Sequence, residues 1–74
     1  MLEVDSWRAR AAAAADAVRS AAEARRVLEN RYDAGVATST EVLDAQVLLL
    51  QAELDRVRAL ASVRLAQAAL DRAL

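Results

Sequence analysis

The chain has 74 residues, a formal net charge of -1, 57% hydrophobic and 28% charged residues, and neither His nor Cys. One small domain is the most this length supports, and without imidazole or thiolate there is no disulfide, no thiol redox centre and no usual zinc or haem site. Ten Arg against eleven Asp and Glu leave no basic excess to hold a polyphosphate backbone, which argues against nucleic acid as a partner.

Ala, Leu, Arg and Glu make up 46 of the 74 residues, a composition of long helices and coiled coils. There is no proline and one glycine, Gly35, so the backbone carries a single strong punctuation mark. These features predict an all-α fold over residues 1–74, one antiparallel two-helix hairpin of coiled-coil type. The first helix is expected from about residue 5 to 34, the turn over 35–38 and the second helix from about 39 to 74.

In the first helix, Trp7, Ala11, Ala14, Val18, Ala21, Leu28 and Tyr32 follow four-three spacing, interrupted only by Arg25 in register. That is a heptad stripe. Small residues at Ala13, Ala17, Ser20, Ala24, Val27 and Ala34 make a second stripe on a neighbouring face. Asp5 or Ser6 is the expected N-cap, since either side chain accepts from first-turn amides.

The helix is expected to end at Gly35, because glycine enters the left-handed region without a Cβ clash. Thr38-Ser39-Thr40-Glu41 then reads as a capping box, and so short a connection forces antiparallel neighbours.

In the second helix, Leu43, Val47, Leu50, Leu54, Val57, Ala61 and Ala68 repeat the four-three spacing, with Arg64 in register. This stripe is expected to face the first helix. Leu60, Val63, Leu70 and Leu74 lie on a separate face, and Leu48, Leu49 and Leu65 widen the apolar arc beyond what one partner helix covers. The excess predicts self-association into a helical bundle. Helices from Trp7 to Ala34 and from Ser39 to Leu74 would run roughly 40 and 55 Å.

Asp5/Arg8, Asp16/Arg19, Glu23/Arg26, Glu53/Arg56 and Asp55/Arg58 are acid-then-arginine pairs at i,i+3, each worth about 0.2 to 0.5 kcal/mol on a solvated face. The longest fully apolar runs, Ala11 to Ala15 and Val47 to Leu50, fall far short of the roughly 18 residues of a membrane-spanning helix. Ser, Thr and carboxylates are present, but no histidine base accompanies them and the carboxylates are spread by solvation. No catalytic, cofactor or metal site is expected, and the chain reads as a non-enzyme.

The stretch Arg31-Tyr32-Asp33-Ala34-Gly35-Val36-Ala37-Thr38-Ser39-Thr40-Glu41-Val42-Leu43-Asp44-Ala45-Gln46, followed by Leu49, Ala52-Glu53 and Leu70-Asp71-Arg72-Ala73-Leu74, resembles the second periplasmic hairpin of TolC-like outer-membrane efflux channels. Tyr-x-x-Gly, then acid-Val-Leu-Asp-Ala-Gln, then Ala-Glu at this spacing is a long ungapped pattern. The resemblance is most diagnostic from Arg31 to Glu53, and the Ala-rich first helix is compatible with it. Members of that family are trimers whose protomers each give two such hairpins to a twelve-helix periplasmic tunnel continued by a β-barrel. The resemblance therefore implies a periplasmic portion of a Gram-negative outer-membrane protein, acting in multidrug efflux or type I secretion. The β-strands and the other hairpin have no counterpart here, so a part of a larger channel protein is expected.

By the same resemblance, Gly35, Val36, Ala37, Thr38 and Ser39 form the tip that meets a periplasmic adaptor (membrane fusion) protein. Glu41 and Asp44 correspond to acidic positions facing the lumen near a closed entrance, where a trimer repeats them as a cation-attracting ring. Tyr32 is the third entrance candidate, through a hydroxyl that reaches across a closed tip. Local physics supplies other roles: Glu41 serves the capping box, Tyr32 packs on the seam with its polar end wet, and Gly35 to Ser39 make an ordinary turn. Asp44 has no such local role. Ala37 stands where some relatives carry a basic residue. The alternative function is a self-contained interaction module, a hairpin that forms a homo-oligomeric bundle.

Overall fold

The computed structural model describes the backbone of residues 2–73 and the side chains of residues 5–73. Two helices follow in chain order, α1 (Leu2–Asp33) and α2 (Ser39–Ala73), of 32 and 35 residues. At 1.5 Å per residue they are about 48 and 52 Å long, and the chain folds back once into a rod of 59 × 14 × 11 Å. The all-α antiparallel hairpin is as expected from the sequence. Among the described residues no helix is long and apolar enough to cross a membrane.

α1 begins at Leu2, so Asp5 and Ser6 lie inside the helix and neither is its N-cap. No proline or glycine stops the backbone before them, so the helix extends past both. Leu74, counted with the second apolar face of the second helix, lies outside the described residues.

α1 closes in a Schellman motif. The Val36 amide donates to the Arg31 carbonyl at 2.8 Å and the Gly35 amide to the Tyr32 carbonyl at 3.0 Å, so two otherwise orphaned carbonyls are satisfied. The arrangement requires a left-handed residue at the second position, and Gly35 supplies it with φ of +79°. α2 opens on Thr38, whose hydroxyl accepts from the Glu41 amide at 3.1 Å while its carbonyl accepts from the Val42 amide at 3.2 Å. Only this half of the capping box forms; the Glu41 carboxylate does not return to the Thr38 amide.

The α1 seam is the expected one. Trp7, Ala11, Ala14, Val18, Ala21, Arg25 and Leu28 are all half-buried, and Tyr32 emerges at the tip end. Arg10 stacks on the Trp7 ring at 4.5 Å from its centroid. Arg25 keeps its place in the seam with Nε enclosed and without a hydrogen-bond partner, while its guanidinium lies 3.6 Å from Glu29 one turn on.

The α2 seam is a correction. Leu43, Val47, Leu50, Leu54 and Val57 do not face α1; they are between 48% and 63% exposed, and Ala61, Arg64 and Ala68 are exposed with them. Facing α1 instead are Val42, Ala45, Leu49, Ala52, Ala59, Val63 and Ala66, again in four-three steps, with Arg56 holding the register position between Ala52 and Ala59. Ala45 (5% exposed) and Leu49 (9%) are the buried pair at the centre of this seam. α2 thus carries two heptad stripes on opposite sides, and spacing alone does not choose between them. The connection from Asp33 to Ser39 chooses: it fixes the azimuth at which α2 leaves the turn and delivers Val42 and Ala45 to α1. Alanine on both helices then permits close approach, and the bulky stripe is left outside.

Asp16–Arg19, Glu23–Arg26 at 2.6 Å and Asp55–Arg58 at 3.7 Å close as expected, and Arg25–Glu29 is an addition. Asp5/Arg8 and Glu53/Arg56 do not close among the described residues.

Candidate functional site at the hairpin tip

The tip is stiff because both helix ends are tied to it. Gly35 and Val36 are held by the two Schellman bonds, and Thr38 is held by the two bonds that start α2. Within this frame Val36 stands at the apex, 74% exposed. Ala37 is half-buried, while Gly35, Thr38 and Ser39 are exposed. Nothing lies within 4 Å of the position a Cβ would take on Gly35. The tip therefore offers a small, mostly uncharged surface of fixed shape, with one protruding valine.

One turn below the apex the two helices form a groove of about 340 Å³. Its floor is Ala21, Ala24, Leu28, Ala45 and Leu48, and its rim carries Glu41 and Asp44. The structure thus brings the two acidic candidates together on one side of the rod, over apolar ground. Both are exposed, and neither joins an ion pair among the described residues. They lie in the first two turns of α2. Tyr32 is not in this groove: it stands at the tip end of the α1 seam, half-exposed, its carbonyl bonded to the Gly35 amide.

Sequence reasoning found the rim but missed the groove. Leu28, Ala24 and Leu48 were each legible as part of a different stripe, and only the true facing of α2 sets them side by side. Arg31, in the last turn of α1, also escaped notice as a site residue. Its signal was present, since it is the one basic residue within a turn of the glycine.

An antiparallel hairpin with capped ends, an acidic rim and an apolar back on α2 agrees with the match to known families. The family profile for outer membrane efflux protein matches residues 1–74. The chain belongs to that family. Comparison with curated proteins and with solved structures gave no match. The outer membrane efflux family is one of channel and transport components.

Proposed function

We propose that this hairpin is a periplasmic tunnel segment of a TolC-like channel, with a tip that docks a periplasmic adaptor and an acidic groove that borders the entrance. The observation that carries the reading is the pair of opposed stripes on α2. A helix apolar on two opposite sides is built to stand between two other helices, and only one of them, α1, is within the chain. In a ring of helices every member has two such neighbours, so the stripe from Leu43 to Val57 is the contact with the next hairpin of the wall. Membership of the family and the location of the groove support the rest: Glu41 and Asp44 face the lumen, Tyr32 stands at the closed end, and Gly35 to Ser39 meet the adaptor in efflux or type I secretion.

The test is cysteine crosslinking in the intact channel in cells that export normally. Ala37→Cys and Ser39→Cys are expected to link to the adaptor. Robust links from Arg19→Cys or Arg58→Cys, with none from the tip, would move the docking surface to the flank of the rod.

A further inference from the structure

The groove under Glu41 and Asp44 has a second charged edge. Arg31 follows Leu28 by three residues and Ala24 by seven, a spacing that keeps all three on one face of α1. Ala24 and Leu28 line the groove, and they also line a shallow concavity along α1 that reaches Arg31. Glu41 and Asp44 precede Leu48 by seven and four residues on the facing side of α2. Arg31 is two residues before the end of α1 and Glu41 two residues after the start of α2, so the opposite charges stand level across the groove.

Among the described residues no ion pair joins Arg31 to these carboxylates or to any other. Its acidic neighbours on α1, Glu29 and Asp33, are each two residues away, about 200° around the helix, and Glu29 lies against Arg25 instead. Arg31 therefore acts on the acidic pair through space. Packed helix axes lie about 8 to 10 Å apart, close to the Debye length of about 10 Å at 0.1 M ionic strength, so its field reaches the carboxylates largely unscreened. A cation in the last turn also suits the α1 dipole, but that role is open to any side of the helix and does not require the groove side.

We infer that Arg31 sets the charge selectivity of the entrance by offsetting one of the two carboxylates at its own height. Each copy then presents one net negative charge at the groove, two carboxylates against one guanidinium, and the mouth favours cations only mildly. The inference rests on the lumenal reading of Glu41 and Asp44 and adds to it a residue of opposite sign on the other helix. Its signature is directional: loss of Arg31 makes the entrance more cation-selective, whereas loss of Glu41 or Asp44 makes it less so.

Reversal potentials of the intact channel in planar bilayers, under a gradient of KCl, test it. Arg31→Gln is expected to raise the ratio of potassium to chloride permeability by about two-fold or more in dilute salt, and by little near 1 M. Glu41→Gln is expected to lower the ratio, and Arg31→Gln combined with Glu41→Gln to bring it back close to the parent, because the net charge is restored. Arg31→Lys, which keeps the charge, is expected to hold the parent ratio. If Glu41→Gln with Asp44→Asn lowers the ratio while Arg31→Gln leaves it unchanged, the carboxylates face the lumen and the inference alone is overturned. If neither change moves the ratio, the lumenal reading falls and the inference with it. A shift in Arg31→Lys as large as that in Arg31→Gln, or a combined variant that tracks Arg31→Gln, also overturns the inference, since the shape of the tip and not its charge would then be responsible.

Discussion

The Glu41 amide bonds the Thr38 hydroxyl at 3.1 Å, while the Glu41 carboxylate makes no return bond to the cap and the residue lines the groove. The two halves of this motif therefore have separate tasks. Thr38→Ala removes the one side-chain acceptor at the start of α2 and is expected to cost about 1 kcal/mol. Glu41→Gln, which keeps the amide and the helix, is expected to cost well under half as much. Chemical denaturation of the two variants at one protein concentration checks the ratio, and equal losses would mean that the reciprocal half of the box forms in solution.

Gly35 is constrained by its backbone alone. A Cβ there meets nothing within 4 Å, yet φ is +79°, so substitution incurs the left-handed penalty without a packing clash. Gly35→Ala is expected to cost about 1 to 2 kcal/mol, Gly35→Asn less, and Gly35→Val the most of the three, because β-branched residues tolerate positive φ worst. Thermal melts in that order support the Schellman turn; melts that overlay the parent would place the chain reversal elsewhere.

The two sides of α2 separate in the same kind of measurement. Leu49→Ala empties the centre of the inner seam and is expected to destabilise the hairpin by about 2 kcal/mol at any protein concentration. Leu50→Ala, one residue on but on the outer stripe, is expected to lie within about 0.5 kcal/mol of the parent when the chain is dilute, and to lose stability only where association contributes. The reverse pattern would restore the bulky stripe to the α1 interface.

That pair of leucines also marks how far the sequence could be read. The hairpin, its turn, the Thr38 cap and the α1 stripe were legible because each depends on local chemistry or on a stripe without a rival. The facing of α2 was not, since Leu43 and Val42 each begin an apolar heptad and the bulkier one looks like core. What decides is the geometry of the turn, three-dimensional information that composition does not carry. The groove followed the same fate: Glu41 and Asp44 were readable as an acidic pair, but their apolar floor exists only once Ala45 faces α1.

The Glu23–Arg26 pair carries a pH signature. The hydrogen bond from Arg26, and then its charge, hold the Glu23 carboxyl below the ordinary value near 4.5 and raise the Arg26 guanidinium further above its own. A carboxyl lowered on folding contributes stability above its unfolded pKa and loses it as pH falls through the folded one. Both side chains are fully exposed, so the contribution is small and screened by salt. A side-chain NMR titration is expected to find Glu23 titrating below an unpaired glutamate at low ionic strength, and to return it to the ordinary range in Arg26→Gln or in high salt. An unshifted Glu23 would mean that solvent separates the pair.

The groove and the tip make different predictions for the intact channel. Copies of Glu41 and Asp44 repeated around a constriction repel one another and attract cations, so Glu41→Gln with Asp44→Asn is expected to weaken cation binding at the entrance and alter single-channel conductance. Thr38 still caps α2 in that variant, and assembly is expected to persist. A bulky charge at the tip acts elsewhere: Ala37→Arg or Ser39→Glu is expected to impair adaptor docking and export while oligomer formation continues, because both residues lie outside the α1–α2 seam and the outer stripe. Conductance in planar bilayers and export in cells separate the two effects. If neutralising Glu41 and Asp44 left conductance and cation block unchanged while export failed, the groove would be a protein contact and not a lumenal one, and the apolar floor from Ala24 to Leu48 would be the surface that the missing partner covers.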